Sequence, residues 1–92
     1  MDNRIKNIAD TYGLNSQLDI LQEECAELVQ AVSKYRRGGS FALILEEIAD
    51  VEIMLEQIRY LISPTDNVTI DAYKNVKLDR QIRRIEESQN DT

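Results

Sequence analysis

The chain has 92 residues, a formal net charge of −6, no His and a single Cys. Its length predicts one small domain that buries only ~60–65% of its unfolded surface, so its own core is thin. The negative charge argues against nonspecific binding to nucleic acid or anionic membrane, and the missing His excludes His-based acid–base chemistry, the Ser-His-Asp triad and His-containing zinc or di-iron sites.

Asn3 to Tyr12 reads as a short first helix with Ile5, Ile8 and Ala9 on one face, and Gly13 is its stop. Asn15 or Ser16 is expected to cap the second helix, where Ser16 and Asp19 stand in capping-box spacing. This helix runs to about Arg37, and Lys34, Arg36 and Arg37 suit its C-terminal end. Gly38-Gly39 breaks the chain. Ser40 caps a third helix that ends near Ile62, before Ser63-Pro64. Thr65 to Val68 reads as a loop, Thr69 as the cap of a fourth helix reaching about Glu87, and Ser88 to Thr92 as a frayed end. No strand alternation or repeat is present. The expected fold is all-α: an antiparallel bundle of about four helices, with its core completed by oligomerisation. The two-residue break forces the second and third helices to lie antiparallel.

Those two helices carry two acidic motifs, EECAE at Glu23 to Glu27 and EEIAD at Glu46 to Asp50. A helical residue advances about 100 degrees, so Ile20, Glu24, Glu27 and Ala31 share a column at the edge of the apolar arc formed by Leu21, Cys25, Leu28, Val29 and Val32. On the third helix Leu43, Glu47, Asp50, Met54 and Leu61 share a column, widened by Ile44, Ile48, Val51, Leu55, Ile58 and Ile62. Acidic helices ordinarily present solvated faces paired with Lys or Arg one turn away. Here no Lys or Arg occurs between Lys6 and Lys34, nor between Arg37 and Arg59. Glu24, Glu27, Glu47 and Asp50 would face one another as four hard oxygen donors, a set suited to Mg²⁺ or Mn²⁺. Without a cation they would repel and raise one another's pKa.

The motif pair, with Gly13-x-x-x-Gln17 before it and KLDRQIRRI from Lys77 to Ile85 after it, resembles the MazG-like, all-α nucleoside triphosphate pyrophosphohydrolases. The resemblance covers most of the chain. It implies Mg²⁺-dependent cleavage of a nucleoside triphosphate between the α and β phosphates, with Mn²⁺ able to substitute. Glu24, Glu27, Glu47 and Asp50 become the metal ligands, and Glu23 the carboxylate that orients or deprotonates the attacking water. It also implies a homodimer or homotetramer with sites near subunit contacts. Phosphoribosyl-ATP pyrophosphohydrolases share the fold and a similar acidic pattern. A helical dimerisation module without catalysis is the alternative of a different class.

Outside the acidic set, Lys77 and Arg80 are candidates to hold the triphosphate, among Lys74, Arg83 and Arg84 on the same helix; ordinary solvation explains them as well. Gln17 and Asn15 are candidates to read a base edge, though capping explains Asn15 equally. Tyr12, Tyr35, Phe41, Tyr60 and Tyr73 are expected in core packing before base stacking. Cys25 is expected as a small core residue; alone, it cannot form an intrachain disulfide and fits a reducing compartment. No stretch approaches the ~20 apolar residues of a membrane span, the first residues carry charge, and a cytoplasmic location is expected.

Overall fold

The computed structural model describes residues 1–90. All regular structure in it is helical: α1 (Asn3–Arg36), α2 (Ala42–Leu61) and α3 (Pro64–Asn90). The all-α expectation holds. The count differs, because the first two expected helices form one hydrogen-bonded run. They are separated by a kink at Gly13, whose φ of 79° and ψ of 169° are not helical. That backbone conformation is close to exclusive to glycine. Asn15 and Ser16 lie inside the helix and do not cap it. The cap that does form is at the start of α1, where Asp2 Oδ1 accepts the Arg4 backbone N–H at 2.9 Å.

Arg36 ends α1 in a Schellman turn. Gly38, at φ 95°, donates to Tyr35 O at 3.0 Å, and Gly39 donates to Lys34 O at 2.9 Å. The next helix is capped as expected by Ser40, whose Oγ accepts the Ala42 N–H at 3.1 Å. Tyr35 and Phe41 brace the turn edge to face, their ring centroids 5.2 Å apart. The short turn makes α1 and α2 an antiparallel hairpin.

Met1–Ile62 forms one compact unit and the chain from Ser63 a second. In the first, Ile5, Ala9, Ala31, Ile44 and Met54 are the buried hydrophobic residues. The segment before Gly13 lies against the C-terminal half of α2: Ile5 and Ile8 share a cleft with Ile53 and Glu56, and the Tyr60 hydroxyl donates to Asp10 Oδ2 at 3.1 Å. Beside Ala9, which is fully covered, the largest side chains to be buried almost completely are polar, Gln17 at 1% exposed and Gln57 at 2%.

The second unit corrects the expected loop. Thr65 to Val68 is helical, and Thr69 is an interior residue. Pro64 occupies the first helical position, where its missing N–H costs nothing. Ser63 supplies the cap: its Oγ accepts the Asp66 N–H at 3.0 Å. Ser88 to Asn90 continue the helix instead of fraying, while Asp91 and Thr92 lie outside the described residues. No side chain of α3 is buried.

Two expectations about packing are overturned. Cys25 is exposed: the hairpin buries the stripe through Gln17 and Ala31, and Cys25 lies outside it. Tyr12, Tyr35, Phe41 and Tyr73 are exposed as well, because the described helices are too few to cover them. No described helix is long and apolar enough to cross a membrane.

Candidate metal centre

The centre is built on one stripe of each hairpin helix. On α1 the stripe runs Gln17, Ile20, Glu24, Glu27, Ala31; on α2 it runs Leu43, Glu47, Asp50, Met54, Gln57. Steps of three and four residues keep each set on one face. The antiparallel turn then sets the acidic middle of one stripe against the acidic middle of the other. One carboxylate oxygen each from Glu24, Glu27 and Glu47 lie within 4.8 Å of one another. Glu24 and Glu47 are half-buried, and Glu27 is exposed.

No described cation neutralises this group. Burial, followed by the charges of Glu27, Asp50 and Glu47, pushes the Glu24 carboxyl up to about 7. Glu47 is also raised, by burial first and then by Glu27 and Asp50. Oε2 of both Glu24 and Glu47 is buried without a hydrogen-bond partner. The reason is chemical: ionised carboxylates only accept, so neither can satisfy the other. A proton or a cation is needed to close the network.

The donor set fits a hard divalent cation, since it consists of carboxylate oxygens alone. Oxygens on opposite sides of one Mg²⁺ stand about 4.2 Å apart.

Glu24, Glu27 and Glu47 are therefore brought together. Asp50 lies beside them, outside the tight trio, and its charge acts on both Glu24 and Glu47. Glu23 is exposed and sits one turn before Glu27 on the flank of the stripe. Gln17 belongs to the packed interior and does not face solvent; its Oε1 has no donor. Lys77 and Arg80 are exposed on α3, within the second unit.

Two residues went unnoticed in the sequence. Gln57 repeats the situation of Gln17, buried with an unpartnered Oε1; its place three residues after Met54 in the Glu47 column was the available signal. Gln30 lines a cavity beside the centre together with Lys34, Glu27, Ala31, Leu43 and Glu47. It is three residues beyond Glu27, a position that apolar periodicity does not mark. Comparisons of the chain with protein-family models, curated proteins and solved structures find no match.

Proposed function

We propose that the protein is a Mg²⁺-dependent nucleoside triphosphate pyrophosphohydrolase, releasing monophosphate and pyrophosphate, with Mn²⁺ able to replace Mg²⁺. The observation that carries the reading is the Glu24–Glu27–Glu47 group, with two buried oxygens lacking any donor and no cation to offset its charge. A solvated acidic face would leave neither orphaned oxygens nor a carboxyl raised to about 7.

Glu24, Glu27 and Glu47 would hold the ion, with Asp50 adjacent. When bound, Mg²⁺ supplies neutralisation of phosphate charge and polarisation of a water. Glu23 is an exposed carboxylate that precedes Glu24 in the chain, and in this reading it accepts the proton of the attacking water. Lys77 and Arg80 stand three residues apart on α3 and offer cations for phosphate oxygens. Gln17 lies on the Glu24 stripe with an unpartnered amide oxygen, but its side chain is buried in the packed interior, so it is given no contact with the base. The thin core, the bare α3 and the partly exposed carboxylates support assembly as a homodimer or homotetramer, in which a neighbouring copy would exclude water from the centre.

The deciding experiment is a nucleotide panel that includes phosphoribosyl-ATP, incubated with Mg²⁺ and with Mn²⁺ and resolved by chromatography. The expected result is conversion of at least one nucleoside triphosphate to its monophosphate plus pyrophosphate. Turnover of phosphoribosyl-ATP alone would move the assignment to that relative. No turnover anywhere in the panel would leave a non-catalytic helical module.

A further inference from the structure

The cavity beside the acidic centre has a wall that the carboxylates do not explain. It is an open cleft of about 320 Å³, lined by Glu27, Gln30, Ala31, Lys34, Leu43 and Glu47. Glu27, Ala31 and Lys34 follow one another at steps of four and three along α1, so they share a face. Seven residues of helix separate Glu27 from Lys34 by about 10 Å along the axis. The lining thus combines the carboxylates of Glu27 and Glu47, the basic side chain of Lys34 two turns further along α1, the apolar Ala31 and Leu43, and the Gln30 amide.

Lys34 complements the C-terminal end of α1 but has no acidic residue one turn before it. The positions one turn before it are Gln30 and Ala31, and it makes no ion pair among the described residues. Its backbone is held firmly. The Lys34 carbonyl accepts from Arg37 N at 3.1 Å and from Gly39 N at 2.9 Å. A Cβ at Gly39 would fall 2.8 Å from that carbonyl oxygen, so glycine is what lets the turn close onto it. An exposed lysine without an ion-pair partner, on a fixed backbone, thus lines the same cleft as the carboxylates of a candidate cation site.

We propose that this cavity seats the polyphosphate tail of the substrate, with one end at the Glu24–Glu27–Glu47 centre and the other against the Lys34 ammonium, which anchors the anion. The assignment rests on the pyrophosphohydrolase reading above. The volume is at the bottom of the roughly 300–1,000 Å³ range of small-molecule clefts, which suits a tail and not a whole nucleotide. None of the lining residues is aromatic, so the cavity has no stacking face for a base. Lysine is suited to phosphate as a compact charge with three donors. The carboxylate end repels a bare polyphosphate, so anion binding requires the divalent ion.

The test uses the full chain, its Lys34→Ala and Lys34→Arg variants, Mn²⁺, and tripolyphosphate as the probe. Mn²⁺ uptake alone is measured first by water-proton relaxation; binding of the preformed manganese tripolyphosphate complex is then measured by calorimetry. Circular dichroism checks that both variants keep their helix content. The expected result is unchanged Mn²⁺ uptake in all three proteins. Tripolyphosphate affinity should fall roughly tenfold in Lys34→Ala, the loss of one charge-assisted hydrogen bond, and be largely retained in Lys34→Arg. Equal tripolyphosphate affinity in the parent and Lys34→Ala would overturn the proposal. A parent protein that takes up Mn²⁺ but no tripolyphosphate would also overturn it and leave the metal centre standing. A parent that takes up no Mn²⁺ would remove the pyrophosphohydrolase reading, and this anchor with it.

Discussion

At the scale of single residues, the decisive feature is a carboxyl group out of its usual range. Glu24 titrates near 7 because burial and three neighbouring carboxylates oppose its charge. Between its unfolded value of 4.5 and 7 the folded chain holds a proton that the unfolded chain has lost, so stability falls as pH rises through that window. The metal-free protein should therefore melt higher at pH 5 than at pH 8, and Glu24→Gln should flatten the difference. Mg²⁺ should restore the loss at pH 8, contributing about 2.7 kcal/mol at ~100 times its dissociation constant, and should do little at pH 5, where protons compete for the same oxygens. Melting curves with EDTA and with millimolar Mg²⁺ at both pH values read this directly; coincident curves at pH 8 would count against the site. Glu47→Gln and Asp50→Asn remove charge but hardly any volume. Each should abolish turnover while helix content by circular dichroism stays intact, and full activity in either purified variant would dismiss that residue as a ligand.

At the scale of elements, the turn between α1 and α2 determines whether the acidic stripes meet. Gly38 is held at positive φ, and Gly39 lies against the Lys34 carbonyl. Gly39→Ala must displace backbone, not the end of a flexible side chain, and should cost more than about 1 kcal/mol. In a domain of this size that lowers the melting temperature by about 4–8 °C or more; an unchanged melting temperature would mean the turn opens freely. The break at Gly13 acts differently. A Cβ there meets nothing within 4 Å, so its constraint is the backbone conformation itself. That kink lets the short segment carrying Ile5 and Ala9 turn onto α2 and bury both residues.

At the scale of the whole molecule, apolar surface is left uncovered. Val29 on α1 and Leu55 on α2 are exposed, and Val68, Val76, Leu78, Ile82 and Ile85 on α3 are exposed without one buried companion. Exposed apolar residues on this scale mark contact surfaces more often than free ones. Closed symmetric assemblies are the usual outcome for such chains. Light scattering at micromolar concentration should give a mass at least twice the 10.6 kDa of the chain. A stable and active species at the single-chain mass would overturn the oligomer and leave α3 to be covered in some other way.

Helical class, the break at Gly13, the Gly38-Gly39 turn with its Ser40 cap and the antiparallel pairing of the two acidic motifs were all legible in the sequence. These are local properties: backbone permissiveness, capping chemistry and a periodicity of 3.6 residues. The same spacing brought Glu24, Glu27 and Glu47 onto facing stripes. Tertiary structure alone decided how deep each stripe sits. Periodicity ranks positions around one helix but cannot say how far a neighbouring helix reaches, so Cys25 was expected inside and is exposed, while Gln17 and Gln57 are the largest side chains to be fully buried. It also decided the start of α3, where Ser63 and Pro64 open a helix at a point that reads from the sequence as a stop followed by a loop. Proline both ends one helix and begins the next, and only the hydrogen bonds on its far side distinguish the two.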